Sequence, residues 1–184
     1  MPVSPSPDDA RRVYTIGHST RLGDDFVALL RHYGIVILAD IRTIPRSRHN
    51  PQFNPEELAR VLPDEGIAYR HLAALGGLRR GLGAESPNMG WRNASFRAYA
   101  DYMLTEPFRL GLEELLALSS RGLVAIMCAE AVPWRCHRSL VGDALVIREV
   151  EVLDIMDERH ATLHHLTSFA RVDGERITYP AEPD

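Results

Sequence analysis

The sequence predicts an α/β fold: a mainly parallel β-sheet flanked by helices on both faces, in one domain. Three observations carry this. Apolar runs of strand length alternate with segments of helical spacing, the order that gives βαβ units. The run from Ile35 to Ile41 is almost continuously aliphatic, as a strand covered on both faces requires. A chain of 184 residues, 45% hydrophobic and 25% charged, is also long enough to build one stable core without metals or crosslinks.

The elements follow in order. Residues 1–11 read as a proline- and serine-rich lead-in, 12–179 as the domain and 180–184 as a tail. Val13 to Gly17 forms a strand, and a helix follows from Asp24, with Phe26, Leu29, Leu30 and Tyr33 on one stripe until Gly34 ends it. After the strand Ile35–Ile41 comes a polar, proline-marked segment, then a short helix opened by Pro55 and a strand at Gly66 to Tyr69. The stretch from Leu75 to Asn93 holds five glycines and reads as a long loop. Two amphipathic helices are expected next, one carrying Phe96, Tyr99 and Met103, the other Phe108, Leu112, Leu115 and Leu116. A buried strand at Leu123–Met127, a helix over Arg138–Ile147 and a final strand at Glu149–Ile155 complete the pattern.

Composition narrows the chemistry. All 21 basic residues are arginine, which excludes a Schiff-base lysine, a phosphate-loop lysine and a lysine general base within this sequence. The net charge of −4 argues against a broad nucleic-acid footprint, although Arg42 to Arg80 is locally basic. No run approaches the roughly 18 apolar residues of a membrane span, and Met1 to Asp9 lacks the basic head and apolar stretch of a secretory signal. The expectation is a cytoplasmic protein without a membrane partner. There Cys128 and Cys136 stay reduced unless they cycle in a redox reaction, with crosslinking the weaker reading.

In parallel α/β sheets ligands bind beyond the carboxyl ends of the strands. Three predicted strands end there in polar groups: His18-Ser19-Thr20, Asp40-Ile41-Arg42 and Cys128-Ala129-Glu130. The last continues through Trp134 and Arg135 into Cys136-His137-Arg138 at a helix start, where free N–H groups and the helix dipole favour an anion. A thiol at that point, close to Arg135 and Arg138, has a lowered pKa, so Cys136 is the better thiolate candidate and Cys128 the space-filling one.

Several chemistries fit these residues unequally. A cysteine phosphatase or sulfur-transfer loop runs strand, loop, helix, but this loop has no glycine, contains Pro133 and separates Cys128 from Arg135 by six residues. A metal site would use Cys128, Cys136 and a histidine, or His160 and His164 at helical i,i+4 spacing. Acid/base work falls to Glu130 or Asp40 beside Arg42 and His18, with a static Asp40–Arg42 ion pair as the plain alternative. Trp91, Trp134, Tyr69 and Phe53 are interleaved with Arg42, Arg46, Arg48, Arg92 and Arg135. That mixture suits the stacking of a nucleotide or single-stranded nucleic acid, though loop aromatics more often pack on the core.

Five ordered motifs, Tyr14-Thr15-Ile16-Gly17-His18-Ser19, Asp40-Ile41-Arg42-Thr43-Ile44-Pro45-Arg46-Ser47, Leu75-Gly76-Gly77, Cys128-Ala129-Glu130 and Cys136-His137-Arg138, resemble the bacterial family catalogued as domain of unknown function 488. The resemblance runs from Arg12 to Tyr179 and implies an α/β domain with these motifs as hallmarks. It brings no substrate, cofactor or catalytic assignment. Relatives of this kind often carry a histidine in the last strand where this chain has Asp154, while His164-His165-Leu166-Thr167 is similar to the family's tail.

The sequence thus points first to an enzyme acting on a phosphate-bearing small anion, a nucleotide or a nucleic-acid end. Asp40, Glu130 and Cys136 are the candidate catalytic residues. His18, Ser19, Arg42, Ser47, Tyr69, Trp91, Cys128, Trp134, His137 and Arg138 are the candidate ligand contacts. The alternatives are a non-catalytic ligand- or nucleic-acid-binding module and a Cys/His metal-binding protein. Cofactor and oligomeric state stay open.

Overall fold

The computed structural model describes residues 11–183, so all of the expected lead-in except Arg11, and the last residue of the expected tail, lie outside it. Among the described residues one sheet has six strands: β1 (Arg12–Gly17), β2 (Ile37–Asp40), β3 (Ala68–His71), β4 (Val124–Cys128), β5 (Glu151–Ile155) and β6 (Ala161–Leu163). Their order is β3-β2-β4-β1-β5-β6, parallel throughout except that β6 runs antiparallel to β5. The helices are α1 (Gly23–His32), α2 (Pro55–Val61), α3 (Ala94–Tyr102), α4 (Glu106–Ser119) and α5 (Arg138–Val146). No described helix is long and apolar enough to cross a membrane.

Period-two alternation along the strands separates two apolar layers. Tyr14, Ile16, Leu38, Ala125 and Met127 pack with Phe26, Leu29 and Leu30 of α1 and Leu58 of α2 on one face. Val13, Ile37, Ala39, Val124 and Ile126 pack on the other with Tyr99 of α3, Phe108 and Leu112 of α4, and Leu140 and Val141 of α5. The layered α/β expectation therefore holds, with helices on both sides. Helix α1 ends as its sequence demands, at Gly34 with φ +69°, a conformation that a side chain disfavours.

Strand bounds differ by a few residues. The aliphatic run Ile35–Ile41 is extended only over Ile37–Asp40, and the strand expected at Gly66–Tyr69 lies at Ala68–His71. Three short strands were not expected: β6, and the hairpin of β7 (Arg171–Asp173) and β8 (Arg176–Thr178). Helical ligation by His160 and His164 is not realised, because β6 lies between them. His160 instead pairs with Asp157 on the surface.

Within the expected glycine-rich loop, buried Asp101 of α3 takes hydrogen bonds from Leu82 N, Ser86 Oγ and Asn88 Nδ2. Asn88 Oδ1 in turn accepts from Tyr179 N, which ties the loop to the end of the domain.

Candidate functional site

β2, β4 and β1 are neighbours and parallel, so their carboxyl ends form one continuous rim. The β1–β4 ladder runs past the strands, with His18 N donating to Cys128 O at 2.9 Å and Ser19 N to Ala129 O at 3.0 Å. Ser19 sits in the left-handed region at φ 47°, a costly conformation for a residue with a side chain.

Alternation also decides where the rim side chains go. His18, Asp40 and Arg42 follow the parity of Ile16 and Leu38, toward α1 and α2. Cys128 follows Ile126, toward α5. Two cavities result. The more polar one, about 420 Å³, is lined by His18, Ser19, Thr20, Arg46, Ser47 and Asn50. The other, about 360 Å³, is lined by Cys128, Cys136, His137 and Arg135 together with Phe96 and Leu78. Arg42, Ile44, Ala129 and Glu130 wall both.

Arg42 is buried and held in place from several sides. Its Nε donates to Asp40 Oδ1 at 2.9 Å and its Nη2 to Asp40 Oδ2 at 2.6 Å and to Phe53 O at 2.7 Å. Nη1 approaches His18 Nε2 at 3.3 Å. A guanidinium has five N–H donors, so one Nη1–H remains at the cavity wall. Asp40 is fully buried and also accepts from Arg42 N and from the Tyr69 hydroxyl at 2.6 Å.

His18 lies 2.8 Å from Ser19 O through Nδ1, so Nδ1 carries the proton and Nε2 accepts from Arg42. Burial lowers the pKa of His18, which keeps the ring neutral, and the ring stacks on Phe53 at 4.4 Å. Desolvation and the neighbouring Asp40 carboxylate raise the pKa of Tyr69 well above that of an ordinary phenol. Tyr69 therefore braces Asp40 and does not line either rim cavity.

On the α5 side Arg138 is 1% exposed. Its Nη1 donates to Cys128 Sγ at 2.7 Å and to Glu130 O, its Nη2 to Ala131 O at 3.1 Å, and its Nε to Thr15 Oγ1 at 3.3 Å. Burial pulls its pKa down to about 10, against the opposing pull of Asp154 and Glu130. The Arg138 N–H points to Cys136 Sγ at 3.5 Å, as expected of a group at a helix start.

His137 Nε2 lies 2.9 Å from Ile41 O and must donate there, leaving the Nδ1 lone pair toward Cys136 Sγ at 3.6 Å. Burial lowers its pKa to about 4. Gly77 packs against this ring so closely that a Cβ there would stand 2.6 Å from Nδ1. The two cysteines, expected as separate thiols, are brought together with their sulfurs at disulfide distance. The reason is topological, since the loop after β4 returns Cys136 over the strand end that carries Cys128.

The remaining sequence candidates are placed differently from one another. Trp91 packs with Phe169, Tyr179 and the cavity-lining Phe96 but lines neither cavity itself, and its Nε1 is buried and unpaired. Trp134 is exposed on the loop between β4 and α5. Arg46 pairs with Glu56 on the surface. Glu130 is exposed, and its bond within the protein is made by its carbonyl, which leaves the carboxylate free to face either cavity. Among the described residues no three His, Cys, Asp or Glu side chains are grouped to hold a metal ion.

The sequence reading missed the role of His164. It lies against Asp154, with Nδ1 3.5 Å from Asp154 Oδ2 and Nε2 2.9 Å from Asp143 Oδ1. Burial alone would lower its pKa, but the two carboxylates outweigh burial and hold it at about 9. Asp154 also accepts from Thr15 Oγ1, which links this cluster to Arg138.

Because the folded value exceeds the ordinary ~6.5, His164 contributes its full stabilisation below about pH 6.5 and loses it as pH rises through about 9. Urea unfolding midpoints of wild type should therefore fall across that window, and those of His164→Gln should fall less. Equal slopes for the two proteins would place the titration on another group.

Fold and rim together define an α/β protein with a mainly parallel sheet and two adjoining cavities at the strand carboxyl ends. The family model described as Domain of unknown function DUF488 matches residues 23–145, more than half of the chain, and the chain belongs to that family. The match takes in the Asp40–Ser47, Leu75–Gly77 and Cys128–Arg138 motifs, while the His18 motif and His164 lie outside it. No curated protein and no solved structure matches the chain.

Proposed function

We propose that the chain is an enzyme that binds a phosphate-bearing ligand, a nucleotide or a nucleic-acid end, in the polar cavity beside Arg42. The observation that carries this is the bracing of Arg42. A buried guanidinium whose other donors are fixed by Asp40, Phe53 O and His18 presents its remaining N–H to the cavity with little entropy left to lose. Arg46, Ser19, Thr20, Ser47 and Asn50 line the same space with donors suited to phosphate and ribose oxygens. Glu130 is the carboxylate placed to move a proton, since Asp40 has its oxygens occupied and His18 has both ring nitrogens engaged.

A non-catalytic binding module is the second reading. That same occupancy favours it, because proton transfer then rests on Glu130 alone. The metal-binding reading gains no support from the geometry.

Thermal shifts against nucleosides, nucleoside monophosphates and diphosphates, and inorganic phosphate test the ligand class. Phosphorylated ligands should raise the melting temperature in a concentration-dependent way, with a stabilisation of about 2.7 kcal/mol at a free concentration about a hundred times Kd. Arg46→Gln should weaken binding several-fold. Glu130→Gln should bind as wild type does and lose turnover if the chain is an enzyme. Equal shifts from nucleosides and their phosphates would overturn the anion reading, and turnover persisting in Glu130→Gln would remove its catalytic role.

A further inference from the structure

We infer that Cys128 and Cys136 form a dithiol–disulfide site opening into the smaller cavity, with Cys128 as the attacking thiolate and Cys136 as the resolving thiol, acting on low-molecular-weight disulfides that carry a carboxylate. This is independent of the phosphate reading, since it needs neither the polar cavity nor a phosphate.

The choice of Cys128 over Cys136 follows from what touches each sulfur. Arg138 brings a buried cation to 2.7 Å from Cys128 Sγ, and its other partners are Thr15 Oγ1 and two carbonyls, all uncharged. The Asp154 and Glu130 carboxylates act on this buried cation without bonding to it, and an anionic sulfur at Cys128 supplies a countercharge in direct contact. Cys136 receives weaker contacts, a main-chain N–H at 3.5 Å and the neutral His137 ring at 3.6 Å, neither of which brings a full positive charge to the sulfur.

The charged and titratable groups facing the pair come from each neighbouring element. They are Arg138 and His137 at the start of α5, Arg42 after β2, Glu130 and Arg135 on the connecting loop, and Asp154 of β5 beyond Thr15. Arginines outnumber carboxylates around the pair, and exposed Arg135 stands at the cavity mouth, where a carboxylate on the incoming disulfide would meet it. Phe96, Ile44 and Leu78 supply apolar wall for the rest of such a molecule.

The reaction balances as ordinary exchange. The Cys128 thiolate, its proton already lost to solvent, attacks one sulfur of RSSR. The R–S–S–R bond breaks, a Cys128–S–R bond forms, and RS⁻ leaves and takes up a proton. Cys136, giving up its own proton, attacks Cys128 Sγ, forms the internal bridge and expels the second RS⁻, which is protonated in turn. One dithiol is oxidised and one small disulfide is reduced to two thiols.

The test uses the full chain, reduced and freed of reductant. In Cys136→Ser, iodoacetamide labelling of Cys128 followed by intact mass across pH should titrate at least one unit below the ~8.5 of a free thiol. Adding Arg138→Lys should move that midpoint upward. With glutathione disulfide, wild type should end lighter by two hydrogens with both thiols released, while Cys136→Ser should stop at a mixed disulfide. Glutathione disulfide should outpace the cationic disulfide cystamine several-fold, and Arg135→Gln should narrow the gap. An ordinary free-thiol midpoint for Cys128, or labelling of Cys136 in Cys128→Ser as fast as that of Cys128 in Cys136→Ser, would overturn the assignment. Equal rates with both disulfides would overturn the substrate class. Loss of phosphate-ligand binding would leave these outcomes untouched.

Discussion

Asp40→Ala is expected to destabilise the protein by about 3–5 kcal/mol, the range for breaking a buried ion pair by removing one partner. The carboxylate is fully buried, and Arg42 is only 7% exposed. Without it, Arg42 Nε and one Nη2 donor, the Arg42 main-chain N–H and the Tyr69 hydroxyl all lose their acceptor. Each unsatisfied group adds its own desolvation cost. Tyr69→Phe removes one donor and keeps the ion pair, so it should cost only about 1 kcal/mol.

Urea denaturation of the two variants reads this directly, and a double replacement of Asp40 and Arg42 by apolar residues of similar volume should recover much of the loss. An Asp40→Ala cost below about 1 kcal/mol, typical of solvent-exposed pairs, would mean that Arg42 is not held as described.

Gly17→Ala is the second large effect. A Cβ on residue 17 would stand 1.8 Å from the carbonyl oxygen of Glu130, 2.7 Å from its carbon and 3.0 Å from Ala131 Cα. All three atoms are main chain, so no side chain can swing aside, and the loop after β4 must move bodily. That carbonyl is also an acceptor for Arg138, so the displacement reaches the cysteine pair. A loss of about 3 kcal/mol is expected, at the upper end for overpacking.

Gly66→Ala is the control. Residue 66 has φ +72° but nothing within 4 Å of an added Cβ, so it should show only the strain of the left-handed conformation, about 1–2 kcal/mol. If the two variants lose equal stability, the close approach at Gly17 does not matter.

Much of this molecule was legible in its sequence because period carries the information. Tyr14 and Ile16 against Val13, and Leu38 against Ile37 and Ala39, announce strands with two buried faces, and the polar residues at their ends announce the rim. The short strands were not legible: β6, β7 and β8 have three residues each and mostly exposed side chains, too few to show a period. A signal for the hairpin was nevertheless present in Asp173-Gly174, with Gly174 at φ +61° in the turn.

The division of the rim into two chambers follows from alternation, but only once the strand order is known, and order is a tertiary fact. The same holds for the contact between His164 and Asp154, which depends on β6 folding back along β5. The pairing of Cys128 with Cys136 was hidden too, because a spacing of eight residues says nothing about whether the intervening loop doubles back.

Arg42 and Glu130 belong to both hollows at once, like a party wall between adjoining rooms. Were both hollows to take ligands, a guest leaning on that wall from one side would change what the other side offers its own guest. Linkage makes the influence mutual, whatever its sign. Such communication would run through the two shared side chains and would call for no hinge or moving lid.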